Sequence, residues 1–314
     1  MIAFLFPGQG SQAVGMGKDL AAHYPVARET FEQADAALGF KLSELCFEGP
    51  EHKLKLTEIT QPAILTVSVA ALRVLGEKGI APAFAAGHSL GEYSAHVAAG
   101  TLNFEDAVRT VRQRGRYMQE AVPVGQGAMA AILGMPLDLL IQVCGEAAQG
   151  EVCSAANINS PEQVVISGST RAVERATELA KHRGAKRAIL LPVSAPFHCS
   201  LLQPAQDNMG RDLAQLQFNQ MQIPVACNVD AKLVRTPEAA RDALVRQVTG
   251  AVRWEPCVRL LIAQGVETFL EIGPGKVLCG LLRQIDRSKS CWNVEDDASL
   301  QKAINNLSAE SGAA

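Results

Sequence analysis

The residues with the clearest capacity for chemistry surround a serine between two glycines. Ser89 lies in residues 87–91 (GHSLG), which have the form Gly-x-Ser-x-Gly. An apolar run at 82–86 precedes this pattern, and small residues at helical spacing follow it as far as Ala99. A strand, a sharp turn and a helix in this order expose the serine hydroxyl beside the first N–H groups of the helix, which can stabilise an oxyanion. The pattern predicts a nucleophilic serine, and a structural Gly-Ser turn is the alternative.

A nucleophilic serine needs a base, and the chain has six histidines. His198 follows a predicted strand and a Pro-Phe corner, so that a loop can direct it back to the edge of the sheet. The other histidines fit solvated segments, core packing or a position that points away from the serine: His23, His52, His88, His96 and His182. We therefore expect His198 to be the base. Cys199 beside it lacks a neighbour that would activate a thiol.

Two glycine-rich segments resemble nucleotide-binding loops but lack the required context. Residues 8–13 (GQGSQA) match G-x-G-x-x-G/A, but the acidic candidates Glu29 and Glu32 lie inside a predicted helix and do not end a second strand. Residues 273–277 (GPGKV) lack the spacing and the Ser/Thr of a phosphate-binding P-loop. We interpret the first segment as a source of backbone N–H donors and the second as a turn beside a binding site.

The elements that must position these residues alternate along the chain. Apolar runs predict strands at 2–6, 82–86, 223–227 and 268–272. Helical spacing predicts helices at 26–38 and 63–75, the second opened by Gln61 and Pro62. Alternating strands and helices are typical of a mostly parallel sheet covered on both faces. We expect an α/β fold.

The middle of the chain follows a different order. Strands are predicted at 127–134, 151–158, 163–167 and 186–193, with helices at 136–148 and 170–183. The resulting order, β-α-β-β-α-β, is typical of a ferredoxin-like unit. We therefore divide the chain into the first part of a body at 1–125, an inserted subdomain at 126–196 and the second part of the body at 197–314.

Composition and charge exclude several classes of function. The net charge of the 314 residues is 29 − 32 = −3 and aromatic residues make up 5%, which argues against a nucleic-acid-binding protein. Because no stretch of about 18 apolar residues occurs, we expect no membrane span. The eight cysteines form no CxxC pair and no zinc-ligand spacing with histidines. This usage predicts buried free thiols in a reducing compartment, and hence a cytoplasmic protein without a metal site.

Five motifs in order along nearly the whole chain carry a family resemblance. They are residues 6–12 (FPGQGSQ), 87–92 (GHSLGE), 113–115 (QRG), 194–198 (SAPFH) and 271–276 (EIGPGK). In these motifs the chain resembles the malonyl-CoA:acyl carrier protein transacylases of bacterial fatty acid synthesis, which are related to the acyltransferase domains of polyketide synthases. The resemblance implies an α/β-hydrolase-like body with a mostly parallel sheet and an inserted ferredoxin-like subdomain, in agreement with the predicted elements.

The resemblance also implies the roles of the reacting groups. Ser89 would take the malonyl group as an ester, and His198 would act first as its general base and then as an acid. Gln9 and the N–H group of Leu90 would form the oxyanion hole. Without the family, Gln9 carries no signal of function.

Further roles concern the acyl group and the orientation of the histidine. Arg114 would pair with the free carboxylate of malonate, because a guanidinium is planar, offers two parallel donors and stays charged. Gln247 would orient His198 through its main-chain carbonyl. By the same resemblance, Phe197 would be compatible with malonyl groups and would disfavour bulkier 2-substituted malonates. Asp230 fits a turn better than the acid of a triad.

The function implied is transfer of a malonyl group from malonyl-CoA to the phosphopantetheine thiol of acyl carrier protein through a malonyl-serine. We expect a monomer that needs no metal or tightly bound cofactor, with Arg183 and Lys186 as candidate contacts to the carrier protein. The alternatives are a stand-alone acyltransferase that loads a polyketide synthase carrier protein, an α/β-hydrolase thioesterase and a non-catalytic binding module. A thioesterase of that fold would have its histidine near the C-terminus, whereas a long segment follows His198.

Overall fold

The computed structural model describes residues 1–193 and 195–312, so Ser194 of the fourth motif and residues 313–314 lie outside the described residues. The strands are β1 (Ile2–Phe6), β2 (Phe84–Gly87), β3 (Gly127–Leu133), β4 (Cys153–Ser160), β5 (Gln163–Ser169), β6 (Arg187–Leu190), β7 (Val225–Cys227), β8 (Lys232–Val234), β9 (Thr268–Ile272) and β10 (Ser290–Val294). The α-helices are α1 (Lys18–His23), α2 (Pro25–Leu38), α3 (Leu42–Glu48), α4 (Glu51–Leu54), α5 (Thr57–Glu77), α6 (Gly91–Ala98), α7 (Phe104–Glu120), α8 (Leu137–Ala148), α9 (Thr170–His182), α10 (Gln203–Gln215), α11 (Pro237–Arg246), α12 (Trp254–Ala263), α13 (Val277–Ile285) and α14 (Asp297–Gly312).

The larger sheet has the order β10-β9-β1-β2-β7-β8, and its strands are parallel except for β8, which runs antiparallel to β7. Interior strands β1 and β2 are almost wholly buried, which explains why they consist of apolar and small residues. Their register pairs Phe6 with Gly87, so the loops that follow both strands leave the sheet at one edge. This carboxyl edge is where open α/β sheets bind ligands.

The smaller sheet is antiparallel and has the order β4-β5-β3-β6. With α8 and α9 its strands follow one another as strand-helix-strand-strand-helix-strand. The two helices and the sheet bury an apolar cluster that includes Ile132, Leu140, Ile166 and Val173. The protein is therefore a mixed α/β structure with one mainly parallel and one antiparallel sheet. The division at 126–196 remains a prediction.

Helix α5 begins earlier than expected. The sequence predicts a helix at 63–75 that Gln61 and Pro62 open, but the helix starts at Thr57 and Pro62 lies inside it. A proline in this place removes one backbone hydrogen bond. Most of α5 is buried in the core, and this packing outweighs the loss. The helix is long and apolar enough to cross a membrane by composition alone, but most of it lies inside the protein, as in a core helix.

The prediction that all cysteines are free is wrong for one pair. Cys279 on α13 and Cys291 on β10 form a disulfide, with their Cα atoms 5.4 Å apart. The other six cysteines are free, and five of these are buried. The sequence holds no local motif for the pair, because only the return of the chain from α13 into β10 brings the two sulfur atoms together.

Candidate active site

The turn between β2 and α6 places Ser89 at the carboxyl edge of the larger sheet. Ser89 has a φ of 52°, in the left-handed region that costs energy for residues other than glycine. A Cβ atom at Gly87 would lie 1.9 Å from the backbone of Gly91, and one at Gly91 would lie 2.2 Å from the carbonyl oxygen of Phe6. Only glycine fits these two positions, because the turn crosses directly over the end of β1.

His198 contacts the serine and has a defined tautomer. Its Nε2 atom lies 2.7 Å from the Oγ atom of Ser89. Its Nδ1 atom lies 2.9 Å from the carbonyl oxygen of Gln247 and 3.1 Å from that of Gly250. Since carbonyl oxygens only accept hydrogen bonds, Nδ1 carries the proton and Nε2 is free to accept one from the serine. The main-chain contact expected for Gln247 is thus present.

The surroundings of His198 keep its imidazole neutral. Burial, together with the nearby positive charge of Arg114, lowers the pKa of His198 from 6.5 to about 3. A neutral imidazole is the form that accepts a proton from a serine hydroxyl. No carboxylate among the described residues contacts this histidine. Asp230 lies in a turn and does not contact His198, as expected. Both of its carboxylate oxygens accept hydrogen bonds from Arg246 instead.

Arg114 is buried beside the serine, with only 1% of its surface exposed. Its Nη1 atom donates to Oε1 of Gln61 at 2.8 Å, and its Nη2 atom donates to Oε1 of Gln247 at 2.9 Å and to Oγ of Ser89 at 3.1 Å. Among the described residues it forms no salt bridge. The next residue, Gly115, lets α7 approach α5, since a Cβ atom there would lie 2.6 Å from the carbonyl oxygen of Thr57.

A buried network connects the serine turn to the arginine. The side-chain Nε2 atom of Gln247 donates to the carbonyl oxygen of Ser89 at 2.9 Å and to Oε2 of Glu92 at 2.8 Å. Asn228 accepts from the N–H group of Ser89 at 2.8 Å and donates to the carbonyl oxygen of Gly87 at 2.8 Å. Burial raises the pKa of Glu92 to about 7. These contacts fix the backbone on both sides of the nucleophile.

Gln9 and Leu90 line the same cavity as Ser89, His198 and Arg114, with a volume of about 280 Å³. Neither the N–H group of Gln9 nor that of Leu90 has an acceptor among the described residues, so both are available to an oxyanion. Phe197 also lines the cavity. The structure thus brings together the six residues expected at the reacting centre, which are Ser89, His198, Gln9, Leu90, Arg114 and Gln247.

Sequence reasoning missed three polar side chains around this site. Gln61 binds Arg114, Asn228 binds the serine turn, and Asn159 binds Nε2 of His88 at 2.9 Å. Two of them carried a weak signal. Gln61 is a polar residue in a largely apolar helix, and Asn228 directly follows a buried strand at the carboxyl edge. No group of three or more metal-ligand side chains occurs among the described residues.

The comparisons with known proteins identify the family. Residues 3–310 match the family described as Acyl transferase domain. The chain belongs to this acyltransferase family. The malonyl CoA-acyl carrier protein transacylase of Escherichia coli (strain K12) is 55% identical over 303 residues, which cover 96% of this chain and 98% of that protein. The protein of the same name from Bacillus subtilis (strain 168) is 50% identical over 310 residues, covering 98% of each chain.

Solved structures of the same acyltransferase family agree in fold. An acyl carrier protein S-malonyltransferase from Vibrio cholerae has a TM-score of 0.95 at 51% identity and covers 96% of this chain and 99% of its own. A malonyl-transacylase in complex with its type II polyketide acyl carrier protein, PlMCAT with AntF, has a TM-score of 0.95 at 50% identity, with 97% and 99% covered. The family resemblance stated from the five motifs is confirmed.

Proposed function

We propose that the chain transfers a malonyl group from malonyl-CoA to the phosphopantetheine thiol of acyl carrier protein. The observation that carries this proposal is the position of Arg114. A buried guanidinium that forms no salt bridge with any described residue lies 3.1 Å from the serine oxygen. Such a fixed charge favours an acyl group that brings its own carboxylate, as malonyl does and acetyl does not. The names of the relatives agree with this substrate.

In the first half of the reaction, the Oγ atom of Ser89 attacks the thioester carbonyl while its proton passes to Nε2 of His198. The N–H groups of Gln9 and Leu90 stabilise the oxyanion of the tetrahedral intermediate. Collapse of this intermediate breaks the C–S bond, leaves a malonyl ester on Ser89, and returns the proton from His198 to the sulfur of CoA. The low pKa of His198 favours this return of the proton.

In the second half, the phosphopantetheine thiol of the carrier protein enters the same cavity. Its proton passes to Nε2 of His198 and its sulfur attacks the ester carbonyl. The C–O bond breaks, and Ser89 regains its proton from His198. The two carbonyl acceptors on Nδ1 hold the imidazole in one orientation for both halves. Each thiol therefore uses the same base and the same oxyanion site.

We also propose that the body is α/β-hydrolase-like, with its nucleophile in the turn after β2, and that the antiparallel unit is an inserted ferredoxin-like subdomain. The strand order β4-β5-β3-β6 supports the second description. The reaction takes place in the cytoplasm, on a monomer, and needs no metal or tightly bound cofactor.

The test is to measure intact-protein mass after brief exposure to malonyl-CoA without carrier protein. Wild type should gain one malonyl group, which added holo-acyl carrier protein removes, whereas Ser89→Ala should gain none. Release of free malonate without transfer to the carrier protein would indicate a thioesterase. Absence of both adduct and turnover would leave a binding module.

A second candidate is a stand-alone acyltransferase that loads a polyketide synthase carrier protein. The similarity to the PlMCAT component of a polyketide carrier complex favours this candidate. Comparing kcat/KM for a fatty acid synthesis carrier and for a polyketide carrier distinguishes the two. A clear preference for the polyketide carrier would replace the first assignment, while the chemistry at Ser89 would remain unchanged.

A further inference from the structure

Glu92 is a buried acid with no cation in direct contact. Acidic side chains at the surface pair with cations, as Glu146 does with Arg183 and Glu162 with Lys186, so both candidate contacts to the carrier protein have a partner within the protein. Glu92, in the first turn of α6, has none of its surface exposed and forms no direct salt bridge among the described residues. Burying such a group costs free energy, which its hydrogen bonds must offset.

One oxygen of Glu92 accepts hydrogen bonds from two residues that lie far along the chain. Its Oε2 atom accepts from the backbone N–H group of Asn228 at 3.0 Å and from Nε2 of Gln247 at 2.8 Å. Its Oε1 atom is buried and has no hydrogen-bond partner among the described residues. Neither donor belongs to α6, so Glu92 does not cap its own helix. Its carboxyl group instead joins α6 to the residues that follow β7 and α11.

The side-chain amide of Gln247 has one direction that its neighbours allow. Its Nε2 atom only donates and faces two acceptors, Oε2 of Glu92 and the carbonyl oxygen of Ser89. Its Oε1 atom only accepts and faces Nη2 of Arg114 at 2.9 Å. In the reversed amide, the oxygen would face two acceptors and the NH2 group would face a guanidinium donor. Glu92 and the serine carbonyl therefore determine that Gln247 presents an oxygen to Arg114.

This oxygen holds one side of the guanidinium of Arg114 next to the nucleophile. The same Nη2 atom lies 3.1 Å from Oγ of Ser89, and Nη1 donates to Oε1 of Gln61 at 2.8 Å. A guanidinium matches a carboxylate best when both of its terminal nitrogens are held in a fixed plane and direction. Without the oxygen of Gln247, Arg114 would be held by an amide at Nη1 alone.

We propose that Glu92 is a positioning residue for malonyl recognition, which acts through Gln247 on Arg114. This inference rests on the proposed function, because it assigns the residue that holds the guanidinium ready for the malonyl carboxylate. The role requires a hydrogen-bond acceptor at the place of Oε2 and does not require a negative charge. A residue that only stabilised the serine turn would affect every acyl group alike, since all of them react at Ser89.

The test is the ratio of kcat/KM for malonyl-CoA to kcat/KM for acetyl-CoA, because general damage to the serine turn cancels in this ratio. Glu92→Leu removes the acceptor and should lower the ratio about tenfold, which is the effect of one hydrogen bond to a charged group. Glu92→Gln should keep the ratio within about twofold of wild type, since its amide oxygen can replace Oε2 and its NH2 group replaces Oε1.

A double-mutant cycle tests the route through Gln247. Gln247→Leu should lower the ratio by itself, and adding Glu92→Leu should lower it no further, because the bond between the two side chains is already lost. Glu271→Leu is the matched control and should leave the ratio unchanged. Its carboxyl group is also buried, but it accepts from backbone N–H groups of α13. If Glu92→Leu does not fold by circular dichroism, Glu92→Asp replaces it, because the shorter side chain withdraws the acceptor and should also lower the ratio.

Three outcomes would overturn the proposal. One is an unchanged ratio in folded Glu92→Leu, and another is a further decrease when this change is added to Gln247→Leu. The third is an equal decrease in Glu92→Gln and Glu92→Leu, which would assign the effect to the charge and not to the hydrogen bond. The malonyl-serine of wild type is measured separately by mass. Its absence would count against the proposed function, whereas the ratios judge the role of Glu92.

Discussion

The Nη2 atom of Arg114 lies 3.1 Å from the Oγ atom of Ser89, so a guanidinium stands directly beside the nucleophile. Its side-chain acceptors otherwise are the neutral amide oxygens of Gln61 and Gln247. Burial lowers the pKa of Arg114, but an arginine remains charged at neutral pH because its ordinary pKa is so high. Glu92 interacts with this charge through the buried network, but no described carboxylate forms a direct salt bridge with Arg114. A buried charge without a direct salt bridge is costly, and a substrate carboxylate would reduce that cost.

Replacing Arg114 by alanine should separate carboxylate recognition from acyl transfer. We expect kcat/KM for malonyl-CoA to fall about 100-fold or more, since a charged hydrogen-bonded pair is lost, and kcat/KM for acetyl-CoA to change far less. Arg116→Ala is the control, because this exposed residue of the same helix forms its ion pair with Glu120, away from the cavity. Equal losses for both thioesters would remove the assigned role.

A carboxylate supplied by the protein itself should compete with the substrate. Gln61→Glu keeps the size of the side chain and places a carboxylate within hydrogen-bond distance of Nη1 of Arg114. The variant should be more stable than wild type in thermal unfolding, because the arginine is already buried and gains a counter-ion. Its kcat/KM for malonyl-CoA should fall about tenfold, with acetyl transfer retained. Retention of full malonyl transfer together with a lower Tm would contradict this account.

The pH dependence should reflect the depressed pKa of His198. With a pKa near 3, the imidazole of His198 stays neutral at pH values well below 6.5, which is its ordinary pKa. The acidic limb of kcat/KM should therefore lie below pH 6.5, and Arg114→Gln should move it upward because a nearby positive charge is removed. Stability should decline in acid from about pH 6.5, since the unfolded chain binds a proton that the folded site excludes. A limb at pH 6.5 in both proteins would contradict the depressed pKa.

Gly91 of the serine turn and Gly76 of α5 differ sharply in the space around them. Gly91→Ala would bring a Cβ atom to 2.2 Å from a backbone oxygen and should destabilise the protein by more than about 3 kcal/mol. Gly76→Ala, in an open position within α5, should be neutral or stabilise by up to about 1 kcal/mol. Urea unfolding of both variants makes the comparison. Similar free energies of unfolding for the two variants would mean that Gly91 has room for a Cβ atom beside the carbonyl oxygen of Phe6.

The disulfide should be detectable by counting thiols. Alkylation after denaturation without reductant should modify six cysteines, and prior reduction should raise the number to eight. The double variant Cys279→Ser with Cys291→Ser should lose about 3 kcal/mol of stability, because the bond closes a loop in the unfolded chain. Cys46→Ser, at a free buried thiol, is the control for the substitution itself. Eight reactive thiols without reductant would rule the bond out.

The parts of the site that sequence predicted are those with strong local patterns. Any side chain on either side of the serine turn would clash with the backbone, so only glycine fits there. The Gly-x-Ser-x-Gly motif can therefore be recognised from the sequence alone. The strands of the antiparallel unit were also foreseen, because apolar runs and turn residues delimit them. The edge strands β8 and β10 were not predicted, because short strands at a sheet edge show little alternation of apolar and polar residues.

The rest depends on contacts between distant residues. Gln61 meets Arg114 across 53 positions, and Asn228 meets Ser89 across 139. An uncharged amide at one position says nothing about a partner so far along the chain, and the same holds for the partners of Arg183 and for the cysteine pair. The family resemblance supplied Arg114 and Gln247, but the side-chain bond between them required the folded structure.

The base that activates Ser89 lies 109 residues further along the chain, and Gln247 lies 158 residues beyond the serine. The whole antiparallel unit is synthesised between nucleophile and base. During translation, a chain that has reached only the serine turn and α7 lacks the base and lacks Gln247, the second amide that binds Arg114. Catalytic competence thus arises late, as a property of long-range assembly. A chain that ends before this base therefore holds a serine hydroxyl without the imidazole that accepts its proton.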